Sequence, residues 1–313
     1  MVITAREIGF CFGVKRAVSL CEKTLKNCGT CVSLGPIIHN EQVIKRLEQS
    51  GLKIAASLKA GSEPVVIRSH GLHPDIRKEL VRKKRDIIDA TCPFVRQVQQ
   101  LVAGLKKRGY TIIIVGKPDH PEVQALAGFA GKKVIIYPAA RKAPAGSELE
   151  FGKAKQVAVV SQTTNTERSY RRAFWALKRR GLPAGTSFFD TVCRVTERRQ
   201  TEASQLAKKV DVLLVVGSGK SANTTNLYRF LRRMKPETYL IAGANEVKDR
   251  WRRKDLKIGL VSGTSTPKET IEEVKRKICI QPKVTSKKRK DGTQNARKPN
   301  RDAIASGKYL QAR

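Results

Sequence analysis

The fold class follows from one stretch of the chain, Val212-Leu-Leu-Val-Val-Gly-Ser-Gly-Lys-Ser-Ala-Asn223. Its first five residues are all apolar and three are β-branched, which is typical of a strand buried on both faces. The glycine- and serine-rich residues 217–219 then predict a loop, and helical periodicity runs from Asn223 to Met234. The stretch is therefore a strand, a loop and a helix in succession, which is the unit of parallel sheets.

The same succession recurs along most of the chain, which predicts an α/β fold with mostly parallel sheets. We predict strands at Val65–Ile67, Thr111–Val115, Val134–Tyr137, Val157–Val160, Val212–Val216, Thr238–Ile241 and Lys257–Val261. We predict helices at Val14–Lys26, Phe94–Lys107, Glu167–Arg180, Thr196–Lys209, Asn223–Met234 and Lys268–Ile278. Ligands of such folds bind in the loops at the carboxyl ends of the strands.

No low-complexity linker divides residues 1–280, so we expect any domains there to be compactly joined. The expected organisation is three similar α/β lobes, 1–92, 93–192 and 193–280, followed by a flexible basic tail over 281–313. The tail begins where the strand and helix pattern stops, and Lys, Gly, Asn and Pro are frequent in it.

The chain is strongly basic, with 63 Lys and Arg against 27 Asp and Glu and a net charge of +36 at pH 7. A basic, solvated surface explains this at least as well as nucleic-acid binding does, because no basic patch interleaved with aromatic residues is present. We expect nucleic acid to bind only by nonspecific attraction to the tail. No membrane partner is expected, because apolar runs such as Ile112–Val115 fall far short of the roughly 20 residues of a membrane helix.

The seven cysteines are an odd number, and residues 1–13 lack the apolar core of a signal peptide, so we expect a reducing, cytoplasmic location. Three cysteines stand at junctions between a loop and a helix: Cys11, Cys92 and Cys193. Their spacing suits three lobes that each deliver one thiolate to a shared centre. Three thiolates would leave one iron of an iron-sulfur cluster open to substrate, but buried structural cysteines are common, so spacing alone leaves both interpretations open.

The motif Cys28-Gly-Thr-Cys31 competes as a zinc or redox site. Zinc would need a second such pair, which the chain lacks, and a redox dithiol would directly follow a strand and open a helix. We interpret this pair as incidental, and Cys21 and Cys279 as core or surface thiols.

Three of the four histidines stand in loops rich in Gly, Pro and Asn: His39, His70 and His120. Imidazoles in such loops can donate to phosphate oxygens while they titrate near neutral pH. His73 is assigned no role. Glu122 lies in the first turn of a predicted helix, and two roles are open for it. Its negative charge stabilises the helix through the dipole, or it donates protons if burial raises its pKa.

Two further loops have the chemistry of an anion site. The first, within Val212–Asn223, resembles a nucleotide phosphate loop but lacks the first glycine of the Walker pattern. This lack excludes ATP or GTP hydrolysis. Its Ser221 and Asn223 still lie where free N–H groups and the helix dipole favour an anion. The loop Ser262–Pro267 likewise joins a predicted strand to a predicted helix. There we predict a capping box of Thr266 and Glu269 that leaves Ser265 free for a ligand.

A set of ordered motifs covers residues 1–280. These are Gly9-Phe-Cys-Phe-Gly-Val-Lys-Arg-Ala17, Gly35-Pro-Ile-Ile-His-Asn40, Val66-Ile-Arg-Ser-His-Gly71, Asp89-Ala-Thr-Cys-Pro-Phe-Val95, His120-Pro-Glu-Val123, Ser161-Gln-Thr-Thr164, Thr191-Val-Cys193 with Arg199-Gln200, Val216-Gly-Ser218 and Ser262-Gly-Thr-Ser265. Through them the chain resembles the LytB/IspH family of 4-hydroxy-3-methylbut-2-enyl diphosphate reductases.

The resemblance implies three α/β lobes around one central 4Fe-4S cluster per chain, held by Cys11, Cys92 and Cys193. It implies a substrate diphosphate surrounded by His39, His70, His120, Ser221, Asn223 and Ser265, and catalysis by Glu122, Thr163 and His120. The implied reaction is reductive dehydroxylation of this allylic diphosphate to isopentenyl and dimethylallyl diphosphates, the last step of the non-mevalonate isoprenoid pathway. The implied electron donor is a protein such as ferredoxin or flavodoxin.

Two departures from the family pattern stand out. Ala222 replaces a usual serine and so removes one hydroxyl from the diphosphate pocket, and Glu41 replaces a usual proline. One alternative is a basic RNA- or ribosome-associated protein with a structural or sensing iron-sulfur cluster. Another is a phosphate-transfer or radical enzyme, against which the missing Walker glycine and the lack of three closely spaced cysteines argue.

Overall fold

The computed structural model describes residues 1–57, 61–138 and 156–280 of the 313-residue chain. The predicted basic tail, 281–313, lies outside the described residues. By their contacts the described residues belong to one unit. Every helix among them is too short or too polar to cross a membrane.

The strands of the described part alternate with helices along the chain. The strands are β1 (Val2–Thr4), β2 (Cys31–Leu34), β3 (Leu52–Ala55), β4 (Val65–Ile67), β5 (Ile87–Asp89), β6 (Thr111–Val115), β7 (Val134–Tyr137), β8 (Val157–Ser161), β9 (Ser187–Phe188), β10 (Val212–Val216), β11 (Thr238–Ile241) and β12 (Ile258–Ser262). The helices are α1 (Phe12–Cys28), α2 (Glu41–Gln49), α3 (Pro74–Arg82), α4 (Pro93–Lys107), α5 (Pro121–Ala130), α6 (Glu167–Lys178), α7 (Arg194–Ala207), α8 (Ala222–Met234) and α9 (Lys268–Cys279). Two short 3-10 turns, Ala244–Glu246 and Asp249–Trp251, follow β11.

The described strands form three sheets of four strands each, and every paired neighbour is parallel. The strand orders are β3-β2-β4-β5, β7-β6-β8-β9 and β1-β12-β10-β11. This confirms the predicted α/β fold with three parallel sheets. The bounds of the lobes stay a prediction, and one strand crosses them: β1 pairs with β12, so the N-terminal strand completes the third sheet.

Four central strands, β4, β8, β10 and β12, are buried along their whole length, whereas β2 and β6 each have one half-buried residue. In β10, Leu214 packs with Ile271 of α9 on one face of the sheet. The preceding residue, Leu213, packs with Leu227 of α8 on the opposite face. Burial of one such side chain contributes about 1.5–3 kcal/mol. The continuous apolar run at 212–216 is therefore required by contact with both helix layers.

Several predicted elements agree with the structure, including the strands β4, β6, β7, β10 and β11. The capping box predicted at Thr266 and Glu269 was wrong. The helix α9 begins after Pro267, which supplies no side-chain cap, and the Thr266 hydroxyl instead donates to the Val216 carbonyl oxygen at 2.9 Å. That hydrogen bond ties the loop after β12 to the end of β10.

Candidate active site

The carboxyl ends of two strands from each sheet surround one cavity of about 90 Å³. All eleven residues singled out from the sequence line it: Cys11, Cys92, Cys193, His39, His70, His120, Glu122, Thr163, Ser221, Asn223 and Ser265. The last eight follow β2, β4, β6, β8, β10 and β12, so the parallel topology itself brings them together.

The three cysteines occupy equivalent places in the fold. Each is the N-cap residue of a helix, Cys11 of α1, Cys92 of α4 and Cys193 of α7, and none makes a side-chain capping bond. Each also donates its backbone N–H to a loop at the end of a strand. The acceptors are the carbonyl oxygens of Thr264 for Cys11, Ser69 for Cys92 and Thr163 for Cys193, at 3.0, 2.9 and 2.9 Å.

The helix starts also supply hydrogen bonds to the sulfurs. Backbone N–H groups of Val14 and Gly13 interact with the Cys11 sulfur, and those of Phe94 and Val95 with the Cys92 sulfur. These groups favour a thiolate, as does the positive end of each helix dipole. Burial has the larger effect, however: it raises the pKa of Cys11 and raises that of Cys92 to about 11. A bound metal would therefore have to displace the thiol protons.

Arg199 is a buried cation beside these thiols that the sequence reasoning gave no role. Its guanidinium donates to the carbonyl oxygens of Gly9, Ser262 and Gly263 at 2.7–3.2 Å. Its positive charge acts on Cys11 to lower the pKa of that thiol, against the effect of burial. Arg199 lies on the same helix as Cys193, within the Arg199-Gln200 segment of the family motif, which was the available signal.

The remaining cysteines lie away from the cavity. Cys28 is exposed, whereas Cys31 is buried with its sulfur 4.0 Å from that of Cys21. The two residues of the C-x-x-C motif thus differ in environment, in agreement with our interpretation of the pair as incidental. Cys21 is a core thiol and Cys279 an exposed one.

Glu122 and Thr163 form a buried pair. Glu122 is only 1% exposed. Its carboxylate accepts two hydrogen bonds, from the Thr163 backbone N–H at 2.6 Å and from the Thr163 hydroxyl at 2.9 Å. Burial nevertheless raises the pKa of Glu122 to about 7, since the two hydrogen bonds only partly offset the loss of hydration. The carboxyl group can therefore both hold and release a proton near neutral pH.

The three loop histidines form a cluster. Their ring centroids lie 4.5 Å apart for His39 and His70, 5.7 Å for His39 and His120, and 5.4 Å for His70 and His120. Burial is the main cause that lowers the pKa of all three, that of His120 to about 4, and the Arg68 charge lowers each further. The imidazoles are therefore neutral at pH 7.

Distance alone would allow these histidines to hold a metal ion. Among the described residues theirs is the one set of His, Cys, Asp and Glu donor atoms that all lie within 4.8 Å of one another. The hydrogen bonding favours an anion instead. The Nδ1 atom of His120 accepts the Glu122 backbone N–H at 3.2 Å, so the proton of the neutral ring is on Nε2, which makes that atom a donor. The neighbouring Arg68 cation also favours negative charge.

His73 serves the structure, as expected. It is the N-cap of α3, and its Nδ1 atom accepts the backbone N–H of Asp75 at 3.3 Å.

Hydrogen bonds fix the polar residues of the loops after β10 and β12 before any ligand arrives. The Ser221 hydroxyl accepts the Thr224 N–H and so caps α8. Asn223 donates to the Thr196 hydroxyl and accepts the Thr264 N–H. The expectation that Ser265 is free was wrong, because its hydroxyl donates to the His39 carbonyl oxygen at 3.2 Å.

The two departures from the family pattern have clear places. Ala222 lines the cavity at the first position of α8. Glu41 is the first residue of α2, where its carboxylate suits the helix dipole and forms an ion pair with Lys220.

Comparisons with known proteins indicate one family for this chain. A sequence model of the LytB protein family matches residues 2–279. The chain is 38% identical over 281 residues to the 4-hydroxy-3-methylbut-2-enyl diphosphate reductase of Geobacter metallireducens, with 88% of this chain and 96% of the relative covered. It is 36% identical over 289 residues to the protein of the same name from Aquifex aeolicus, with 88% and 95% covered.

Two solved structures are also similar. One is a structure of (E)-4-hydroxy-3-methyl-but-2-enyl diphosphate reductase, described as the terminal enzyme of the non-mevalonate pathway. It is 35% identical with a TM-score of 0.67, and 88% of this chain and 98% of that one are covered. The other, the corresponding reductase from Plasmodium falciparum, is 26% identical with a TM-score of 0.77, with 88% and 87% covered.

Proposed function

The chain belongs to the LytB protein family, and from that premise we propose how its cavity carries out the reaction of these reductases. The protein is an oxidoreductase that converts 4-hydroxy-3-methylbut-2-enyl diphosphate to isopentenyl and dimethylallyl diphosphates, the terminal step of the non-mevalonate pathway. The alternative of an RNA- or ribosome-associated protein has no support from the family match or from the relatives.

The three cavity thiols suit a group larger than one metal ion. Among the described residues, the three sulfurs are not one of the groups of donor atoms close enough together to share a single metal ion such as zinc. Backbone N–H groups of α1 and α4 and the Arg199 cation would stabilise a bound anionic cluster. Cys11, Cys92 and Cys193 would therefore hold one 4Fe-4S cluster per chain. When bound, such a cluster supplies electrons singly together with a Lewis-acidic iron.

The histidine cluster would bind the diphosphate. The His120 Nε2–H group is a donor with its tautomer already set, and the buried Nδ1 atom of His70 has no hydrogen-bond partner within the described structure. Neutral donors beside the Arg68 charge can hold a polyanion. Ser221, Asn223 and Ser265, fixed by their own hydrogen bonds, would complete the pocket and orient the substrate.

Glu122 would supply the proton with which the substrate hydroxyl leaves as water. Its pKa of about 7 keeps a proton available at neutral pH, and its burial excludes competing solvent. The Thr163 hydroxyl, 2.9 Å from the carboxylate, would orient the substrate hydroxyl toward this acid. Because the Thr163 carbonyl oxygen accepts the Cys193 N–H, the acid is held next to the thiols.

The observation that carries this proposal is that one cavity holds the three thiols, the histidine cluster and the Glu122–Thr163 pair. Anaerobic purification, followed by iron and sulfide analysis and by turnover with reduced methyl viologen, tests it. About four iron and four sulfide per chain, together with both products, are expected. A loaded protein that binds two metal ions or fewer, or that gives no product, would contradict it.

Two further expectations belong to this function. The electron donor would be a small protein such as ferredoxin or flavodoxin, because the reaction consumes two electrons. A cytoplasmic location fits an enzyme that depends on three reduced thiols. Turnover with reduced ferredoxin would test the electron donor. Recovery of the protein in the cytoplasmic fraction of cells would test the location.

A further inference from the structure

Aromatic side chains are exposed beside two of the three cavity thiols. Within the described ranges only three Phe, Trp or Tyr side chains are exposed: Phe12, Phe94 and Trp175, at 63%, 41% and 56%. Phe12 directly follows Cys11, and Phe94 stands two residues after Cys92. Because consecutive Cα atoms are about 3.8 Å apart, both aromatic residues begin within about 8 Å of a thiol-bearing residue.

The two helix starts that carry these aromatic residues lie against each other. A Cβ atom added to Gly13 of α1 would overlap the Cys92 sulfur, so the first turn of α1 packs directly on the N-cap of α4. Arg16 of α1 also donates to the Thr91 carbonyl oxygen at 3.3 Å. Phe12 and Phe94 therefore are exposed at the starts of two helices that contact each other.

The starts of these helices carry cations where a helix usually carries an acid. Six of the seven other described helices have Asp or Glu in the first turn, as the helix dipole favours, whereas α1 and α4 have none. Exposed cations stand at the starts of α1, α4 and α7: Lys15, Arg96 and Arg194, of which Arg96 forms an ion pair with Asp89 at 2.9 Å. Glu197 is the one acid in those three first turns. We call Phe12, Phe94, Lys15, Arg96 and Arg194 the docking face.

We propose that an acidic one-electron carrier protein binds at the docking face and delivers electrons there. The inference rests on the proposed function, because it supposes a redox centre at the three thiols. An apolar centre with a charged rim is the usual anatomy of a protein interface, and charge complementarity selects an acidic partner and speeds its encounter. The carrier would pass one electron at a time through the shortest protein path, the first turns of α1 and α4. Its oxidised form then leaves, and a second reduced carrier supplies the second electron.

A second basic surface provides a competing location. It is a groove between α6 and α8 that includes Arg229 and Arg233. It lacks an exposed aromatic centre and none of its lining residues is a thiol. The docking face is favoured because it alone combines apolar exposure, positive charge and contact with the residues that bear the thiols.

The test measures steady-state turnover of the cluster-loaded enzyme at saturating substrate against the concentration of a reduced, acidic ferredoxin. Two variants change the docking face, F12A/F94A and Lys15→Glu with Arg194→Glu. The controls are Trp175→Ala, an equally exposed aromatic residue, and Arg229→Glu with Arg233→Glu. Each protein is also assayed with reduced methyl viologen, a small dye that needs no docking surface.

Both docking-face variants should raise the KM for ferredoxin about tenfold or more, as loss of a central interface contact does. Compared at equal iron content, their viologen-driven turnover should fall much less than their ferredoxin-driven turnover, since the changed side chains are on the surface. Wild-type KM for ferredoxin in either docking-face variant, or a larger rise in the groove variant, would overturn the proposal. Wild-type enzyme that fails with viologen would instead count against the proposed function.

Discussion

Gly13 lies so close to Cys92 that a Cβ atom at this position would overlap the thiol sulfur. The contact joins the first turn of α1, which follows Cys11, to the residue that begins α4. The relative position of the Cys11 and Cys92 thiols thus depends on the absence of a side chain at Gly13. The φ angle of Gly13 is helical, so the requirement is for space and has no contribution from backbone strain.

Gly13→Ala should therefore prevent normal cluster loading. The added methyl group would push α1 away from Cys92, and one core overpacking of this kind costs typically 1–3 kcal/mol. Iron and sulfide content after anaerobic reconstitution measures the effect, and we expect a loss of at least half. Gly104→Ala in α4 is the control, because a Cβ atom there meets nothing within 4 Å. The control should load fully and gain up to about 1 kcal/mol of helix stability. Full loading of Gly13→Ala would show that the contact is not a constraint.

The resemblance to the LytB/IspH family, together with the position of several loops after predicted strands, predicted the residues that meet at the cavity. Each of the eight polar residues follows a strand, and the carboxyl ends of parallel strands lie at one edge of a sheet. The Phe94–Lys107 helix and the β10 strand were found for a similar local reason, since their apolar periodicity records burial directly. The roles assigned to the site residues stay predictions.

The hydrogen bonds between residues that are distant in the sequence could not be predicted in the same way. Ser265 donates to the carbonyl oxygen of His39, which is 226 residues away, and Arg199 donates to Gly9, which is 190 residues away. No local pattern encodes such pairs, because their residues lie far apart in the sequence and meet only in the folded chain. The same is true of β1, whose partner β12 lies at the other end of the described chain.

Replacement of a cavity thiol should remove the cluster, whereas replacement of another thiol should not. Cys92→Ser removes one of three sulfurs that surround the cavity, and serine oxygen is a poor ligand for iron in such a cluster. We expect the visible absorbance of the cluster to be lost in Cys92→Ser and kept in Cys28→Ser, where the thiol is exposed and distant from the cavity. The opposite pattern would overturn the assignment of the ligands.

Ala222→Ser should improve substrate binding. Ala222 lines the cavity at the first position of α8, so a serine there would direct a hydroxyl toward the expected diphosphate. One neutral hydrogen bond contributes about 0.5–1.5 kcal/mol, so the KM should fall roughly 2- to 10-fold with little change in kcat. The matched measurement uses the substrate diol without its diphosphate, for which the variant should show no gain. An equal gain for the diol would mean that the new hydroxyl acts elsewhere.

Truncation after Ile280 should leave viologen-driven turnover unchanged at saturating substrate. The LytB family match ends at residue 279, and all the residues that line the cavity precede it. The tail carries a net charge of +8, so its removal should lower nonspecific binding to polyanions such as RNA and reduce the salt dependence of that binding. A folded, cluster-loaded truncation without activity would contradict this prediction.

Glu122→Gln tests the proton donor, and the pH dependence of the wild type tests it independently. The amide keeps the shape of the side chain and can still accept the Thr163 N–H, so the variant should load the cluster and bind substrate. Turnover should fall by about 10²–10⁴, the usual contribution of a general acid. In the wild type the acid must be protonated to act, and burial raises its pKa to about 7, so kcat/KM should decrease as pH rises through about 7. Glu167→Gln is the matched control, because Glu167 also lies in the first turn of a helix but is exposed. This change should cost about 0.3–1 kcal/mol of stabilisation by the helix dipole. If cluster-matched Glu122→Gln turned over as fast as the Glu167→Gln control, Glu122 would be a structural residue and the proton would have to come from another group in the cavity.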